Sequence, residues 1–225
     1  VTLPIINLTE FARPLGRPFI LHPVMPVGDL LLSVFMCQGQ MHWHKHVDDD
    51  ELFWVHEGVI TLETERGNLT LHAEEVAVVP KGVAHRSSSV LRSVVMLIRP
   101  ASMSERANGH RHYYTITGEA PIEKVRLARA GKTFPVPYVP VTLATVQGWA
   151  LLAYTAEGFG PLETAPAHGA LCAVLRGAVG VELDHAPGAR LVEGELTLVP
   201  GGAAYRVHSA APSLIVTLAR LGESD

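Results

Sequence analysis

Four residues in the first half of the chain could hold a cation together: His44, His46, Glu51 and His85. The first two are one residue apart, so on an extended strand their side chains share a face. Val47-Asp48-Asp49-Asp50 is a polar turn, and Glu51 then opens the apolar run Leu52–Val59. A carboxylate facing a sheet interior is costly unless it is paired or bound to a cation. Further on, the turn Pro80-Lys81-Gly82 delivers His85 to the start of another strand. Three imidazoles and one carboxylate are borderline donors, suited to one divalent transition metal: Fe, Mn, Ni, Zn or Cu. Four protein ligands leave room at the ion for water, dioxygen or a substrate oxygen. One carboxylate does not neutralise a divalent ion, so the centre favours anionic oxygen donors such as enolates, carboxylates, β-dicarbonyls and catecholates.

Alternation along the strands predicts the neighbours of that ion. Gln38, Gln40 and His42 precede His44 at the same parity, Phe53 follows Glu51, and Ser87 follows His85. Phe53 would form an apolar wall and the polar groups would supply hydrogen bonds, which suits a small aromatic or dicarbonyl ligand. The other candidates have plainer readings. His42 is expected as a hydrogen-bonded rim histidine, and His56 has the wrong parity to face the ion. Asp48, Asp49 and Asp50 lack the glycine and distal glutamate of a calcium loop, so they read as a solvated turn. His110 and His112 form a second His-x-His with no following Glu, and read as surface.

The elements that must position these residues are strands. Leu52–Val59, Asn68–Leu71, Val76–Val79 and Val94–Ile98 are short apolar or alternating runs divided by Gly, Pro or charged turns. No helix is predicted. The chain also repeats itself. Gly28-Asp29-Leu30-Leu31-Leu32 aligns with Gly148-Trp149-Ala150-Leu151-Leu152, Glu57-Gly58-Val59 with Arg176-Gly177-Ala178, and Val79-Pro80-Lys81-Gly82 with Val199-Pro200-Gly201-Gly202. A spacing of about 120 residues at three landmarks implies two copies of one domain. The expected division is 1–105, a crossover over 106–136, and 137–225. The second copy has no ligand set in either register: the first three ligands fall on Glu163, Ala165 and Ala170, or on Thr164, Pro166 and Leu171, and His85 falls on Tyr205. An oligomer interface, or cover for a face of the first barrel, is its expected role. An all-β chain of this kind closes into a barrel or jelly roll, which removes exposed edges.

With these motifs in place, the sequence resembles the cupin superfamily. Its first motif matches Gly39, His44, His46, Glu51 and Gly58, and its second, Pro-x-Gly-x-x-His, matches Pro80, Gly82 and His85. Glu74 stands where the second motif usually begins with Gly, and Ser89 where Asn often follows. The resemblance covers residues 19–99 strongly and 138–220 weakly. It implies two tandem double-stranded β-helix barrels, a bicupin, with an ion on His44, His46, Glu51 and His85 of the first barrel.

Three functions fit that expectation. The first is a dioxygenase-like oxidoreductase acting on a small enolisable or phenolic substrate. The others are a redox-neutral isomerase or lyase on a sugar or keto acid, and a small-molecule-binding cupin without turnover. No phosphate cradle is visible, although the Leu52-Phe53-Trp54-Val55 run also occurs in cupins resembling phosphomannose isomerases. A net charge of −4 and the lack of a basic run argue against nucleic acid as a partner. No stretch is apolar enough to span a membrane as a helix. Two cysteines, Cys37 and Cys172, both in apolar runs, read as buried free thiols, which points to a cytoplasmic home. Cupins similar to this one are often homodimers, and that is the expectation here.

Overall fold

The computed structural model describes residues 2–103, 119–130 and 136–222. In chain order, the first elements are β1 (Ile6–Asn7), α1 (Leu8–Ala12), β2 (His22–Val27), β3 (Leu30–Gln40), β4 (Glu51–Glu57) and β5 (Val59–Thr64). They are followed by β6 (Gly67–His72), β7 (Glu75–Val79), β8 (His85–Pro100), β9 (Lys124–Arg126) and α2 (Leu127–Ala130). The last are β10 (Val141–Val146), β11 (Trp149–Phe159), β12 (Glu163–Thr164), β13 (Ala170–Arg176), β14 (Ala178–Leu183), β15 (Ala186–Val192), β16 (Glu195–Val199) and β17 (Ala204–Arg220). All strand pairings are antiparallel.

Two compact units emerge, one over Ala12–Arg126 and one over the chain from Leu127 onward together with the segment ending at Phe11. In the first, β8 is the long strand that unites the sheet: it pairs with β4 along its second half, with β5 along its first, and with β3 along both. In the second unit β17 does the same with β11, β13 and β14. Each unit is a jelly-roll barrel with its own interior. Phe35, Cys37, Phe53, Val55, Leu62, Val79, Val95 and Leu97 belong to the core of the first. Ala156, Cys172, Val174, Val181, Val199, Val207 and Ile215 belong to that of the second. Both cysteines are free and buried. Burial pushes the Cys37 thiol up to about 11 and that of Cys172 up to about 12, so both are inert thiols.

The division differs from the one the sequence predicts. Ile6–Asn7 pairs with β16 in the second unit, and Lys124–Arg126 pairs with β7 in the first. Strands of two or three residues carry no periodicity, so no pattern announces them. Two single-turn helices also stand where none is expected. Asn7 caps the first, its Oδ1 accepting a hydrogen bond from the Glu10 amide at 3.0 Å.

The repeat is visible in detail. Gly58 and Gly177 have φ of 84° and 83°, and a Cβ at either would stand 2.3 Å from Ser93 Oγ or Ser213 Oγ. Those hydroxyls accept the Val59 and Ala178 amides at 3.0 and 3.1 Å. In the next loop Glu75 accepts the His72 amide at 3.0 Å, and Glu195 accepts the Val192 amide at 2.9 Å. Bulges also recur, between Cys37 and Gly39 in one copy and between Ala156 and Gly158 in the other.

Candidate metal centre

The two motifs of the first barrel are joined through their backbones. His44 and His85 form an antiparallel bridge, each amide donating to the other's carbonyl at 3.0 and 2.9 Å. The Gly82 amide donates to the His46 carbonyl at 2.6 Å, and the Lys81 amide to Asp50 Oδ1 at 2.8 Å. The turn after Pro80 is therefore pinned to the loop that carries the first two histidines. Glu51 opens β4 and pairs with Val79, the residue before that proline. As a result, residues 34 positions apart in the chain meet without long or mobile connections.

Their ligating atoms lie within 4.8 Å of one another, so His44, His46, Glu51 and His85 form a cluster that could hold a metal ion. His46, Glu51 and His85 are buried, at 8%, 3% and 1% exposure. Imidazole Nδ1 of His44 lies 2.9 Å from the His42 carbonyl, and that of His85 lies 3.0 Å from the Val83 carbonyl. A carbonyl only accepts, so each Nδ1 carries a proton and Nε2 is the atom each ring offers to the cluster. His85 Nε2 is 3.0 Å from Glu51 Oε2, and His46 Nε2 is 3.4 Å from the same oxygen. Lone pairs this close to a carboxylate require a cation among them, either a proton or a metal. Burial and the neighbouring His85 hold His44 down at about 4, so it is neutral and able to ligate near pH 7. Burial pushes the Glu51 carboxyl up, but the contacts with His46 and His85 outweigh it and hold the group below the usual carboxylate range. The donor set fits a divalent transition metal.

A cavity of about 330 Å³ opens on this cluster. His42, Phe53 and Ser87 line it, as do Phe19, Ile20, Leu21, Phe35, Met41, Leu97 and Arg99. Gln38 and Gln40 do not: both are exposed and lie outside the lining. They alternate with Phe35 and Cys37, which face the interior on β3, and β3 ends at Gln40, so the parity of His44 does not carry back through residues 41–43. His56 is outside the cavity too, near Glu57. His110 and His112 lie outside the described residues.

Alternation could have revealed Arg99, because it has the same parity as Val95 and Leu97 and ends the same apolar run. Phe19, Ile20 and Leu21 are beyond such reasoning. They belong to no strand except by proximity, and the Phe19 amide is held by the Met36 carbonyl at 2.9 Å.

The second barrel keeps the frame without the ligands. Glu163 pairs with Tyr205 as His44 does with His85, and the Gly202 amide donates to the Ala165 carbonyl as Gly82 does to His46. Ala170 pairs with Val199 as Glu51 does with Val79. The four places therefore hold Glu163, Ala165, Ala170 and Tyr205, with Tyr205 donating to Glu163 at 2.9 Å. No second metal-ligating group occurs among the described residues.

Comparison with known proteins agrees with this architecture. A sequence model of the homogentisate 1,2-dioxygenase N-terminal family matches residues 25–95. The protein YdbB of Bacillus subtilis (strain 168) is 29% identical over 93 residues, 41% of this chain and 82% of its own. Among solved structures, a cupin 2 conserved barrel domain protein from Leptotrichia buccalis superposes with a TM-score of 0.74 at 12% identity, covering 96% of each chain. A salicylate 1,2-dioxygenase from Pseudaminobacter salicylatoxidans superposes with a TM-score of 0.73 at 10% identity, covering 96% of this chain and 83% of its own. At these identities the structural likeness establishes the fold: two tandem jelly-roll barrels of the cupin type.

Proposed function

We propose that the chain is a metal-dependent bicupin oxidoreductase, dioxygenase-like, acting on a small enolisable or phenolic oxygen donor. The observation that carries this reading is the meeting of four donors, three buried and one half-buried, in the wall of an otherwise largely apolar cavity. When bound, a redox-active ion would supply Lewis acidity and a route for electrons between substrate and dioxygen. The chain's own residues supply the rest. The His42 and Val83 carbonyls fix the tautomers of His44 and His85, and burial of Glu51 keeps its charge close to the donors. Phe19, Phe35 and Phe53 offer an apolar surface to a planar substrate body, and they limit water at the reacting end. The likeness to a salicylate 1,2-dioxygenase in fold supports the choice of chemistry.

The test is metal content followed by turnover. Protein purified without chelator or His tag is expected to carry close to one transition-metal ion per chain. With iron restored, oxygen uptake is expected on addition of a catechol, a hydroxybenzoate or a β-dicarbonyl. Turnover with zinc under argon would instead assign a redox-neutral isomerase or lyase, and saturable binding without product would assign a binding protein.

A further inference from the structure

Among the described residues Arg99 is the one arginine or lysine that lines the cavity, and the metal cluster gives it no task. It is 7% exposed, and its Nε has no hydrogen-bond partner among the described residues. Among the described residues its polar contact is Nη1 to the sulfur of Met103 at 3.3 Å, a weak acceptor. Its position follows from the sheet. Phe53 pairs with Leu97 and Leu52 with Ile98, so one further step along β4 and β8 sets Arg99 beside Glu51 on the inward face. The Glu51 carboxylate is turned to His46 and His85, and among the described residues no carboxylate lies within ion-pair distance of the guanidinium. A guanidinium stays charged at any ordinary pH, and a buried charge without a partner is costly.

We infer that Arg99 is a binding residue for the carboxylate of an incoming ligand. This rests on the reading of His44, His46, Glu51 and His85 as a metal centre and narrows its substrate class. Two positive centres then face one cavity: the ion, and a fork of donors shaped for a carboxylate. The space around them is walled by Phe19, Phe35 and Phe53. The matching molecule is a small acid with an apolar or aromatic body and a second oxygen donor, that is, a hydroxybenzoate or an enolisable 2-oxo acid. A catechol, which has the oxygen donors but no carboxylate, would leave Arg99 unpaired.

The experiment is calorimetric titration of the metal-loaded protein with salicylate and with catechol, for wild type, Arg99→Met and Arg99→Lys. Hydrogen bonds to charged groups set the expected effect: Arg99→Met weakens salicylate by roughly 10- to 100-fold. Catechol affinity and metal stoichiometry should stay within about a factor of 3 of wild type, well under the tenfold step that 1.4 kcal/mol represents. Arg99→Lys should recover part of the loss, since it keeps the charge but not the fork. Unchanged salicylate binding in Arg99→Met, or an equal loss for both probes, overturns the inference. If Arg99→Met does not fold, wild type decides: at least tenfold preference for salicylate over salicylamide supports the assignment, and equal affinity overturns it. Failure of the metal reading looks different. The protein would then take up no ion, while Arg99-dependent salicylate binding would persist in the metal-free protein.

Discussion

Replacing Glu51 by Gln removes one charge and little volume from the centre. Glu51 is 3% exposed and supplies the sole carboxylate of the cluster. Two unit charges about 4 Å apart are worth about 4 kcal/mol at an effective dielectric of 20, and a divalent ion is attracted more strongly than a single charge. Because the amide oxygen still offers a donor, a loss of about 2.7 kcal/mol, or a hundredfold in affinity, is a conservative expectation. Thermal unfolding can read this directly. At a free metal concentration about 1,000 times Kd, binding stabilises wild type by about 4.1 kcal/mol. In Glu51→Gln the same concentration would be about 10 times Kd and would leave about 1.4 kcal/mol. For a unit of this size 1 kcal/mol moves Tm by about 4–8 °C, so the metal-induced shift should fall by roughly 11–22 °C. The metal-free proteins should melt within a few degrees of each other, because glutamine fills the same space. An equal metal-induced shift in both proteins would refute the argument, as would metal content near one ion per chain in Glu51→Gln purified without added metal.

Other outcomes follow from particular residues. Gly58→Ala puts a Cβ 2.3 Å from Ser93 Oγ at a φ of 84°. Together with a strained amide contact at Val59, this should cost about 2–3 kcal/mol by chemical denaturation. A midpoint like that of wild type would mean the loop repacks freely. Glu74 occupies a left-handed conformation at a φ of 66°, so Glu74→Gly should be neutral or stabilising by up to about 1 kcal/mol, read as a Tm rise. Glu75 is pushed up by burial, but the His72 amide and Lys124 prevail and hold its carboxyl below the ordinary value. Its contribution is therefore complete above an unfolded pKa near 4.5 and is lost as the pH falls further. Glu75→Gln should narrow the gap between stability at pH 7 and at pH 3, and an unchanged pH profile would count against the assignment.

Much of the centre is legible in the residues alone, because the spacing of its motifs is local. His-x-His sets two rings on one face of a strand, a polar turn returns the chain to Glu51, and Pro80-Lys81-Gly82 reverses it before His85. The repeat and the loss of ligands in the second copy are equally a matter of aligned residue types. Tertiary structure decided what depends on contacts between distant segments. Gln38 and Gln40 face outward because they alternate with inward Phe35 and Cys37 on β3, and the strand ends before His44, whose parity therefore says nothing about them. Pairings of two or three residues carry the chain's beginning to β16 and residues 124–126 to β7, and hydrophobic periodicity has no reach over so few positions. Phe19 and Arg99 reach the cavity from opposite ends of the first barrel's sequence, and only closure of the sheet brings them to one space.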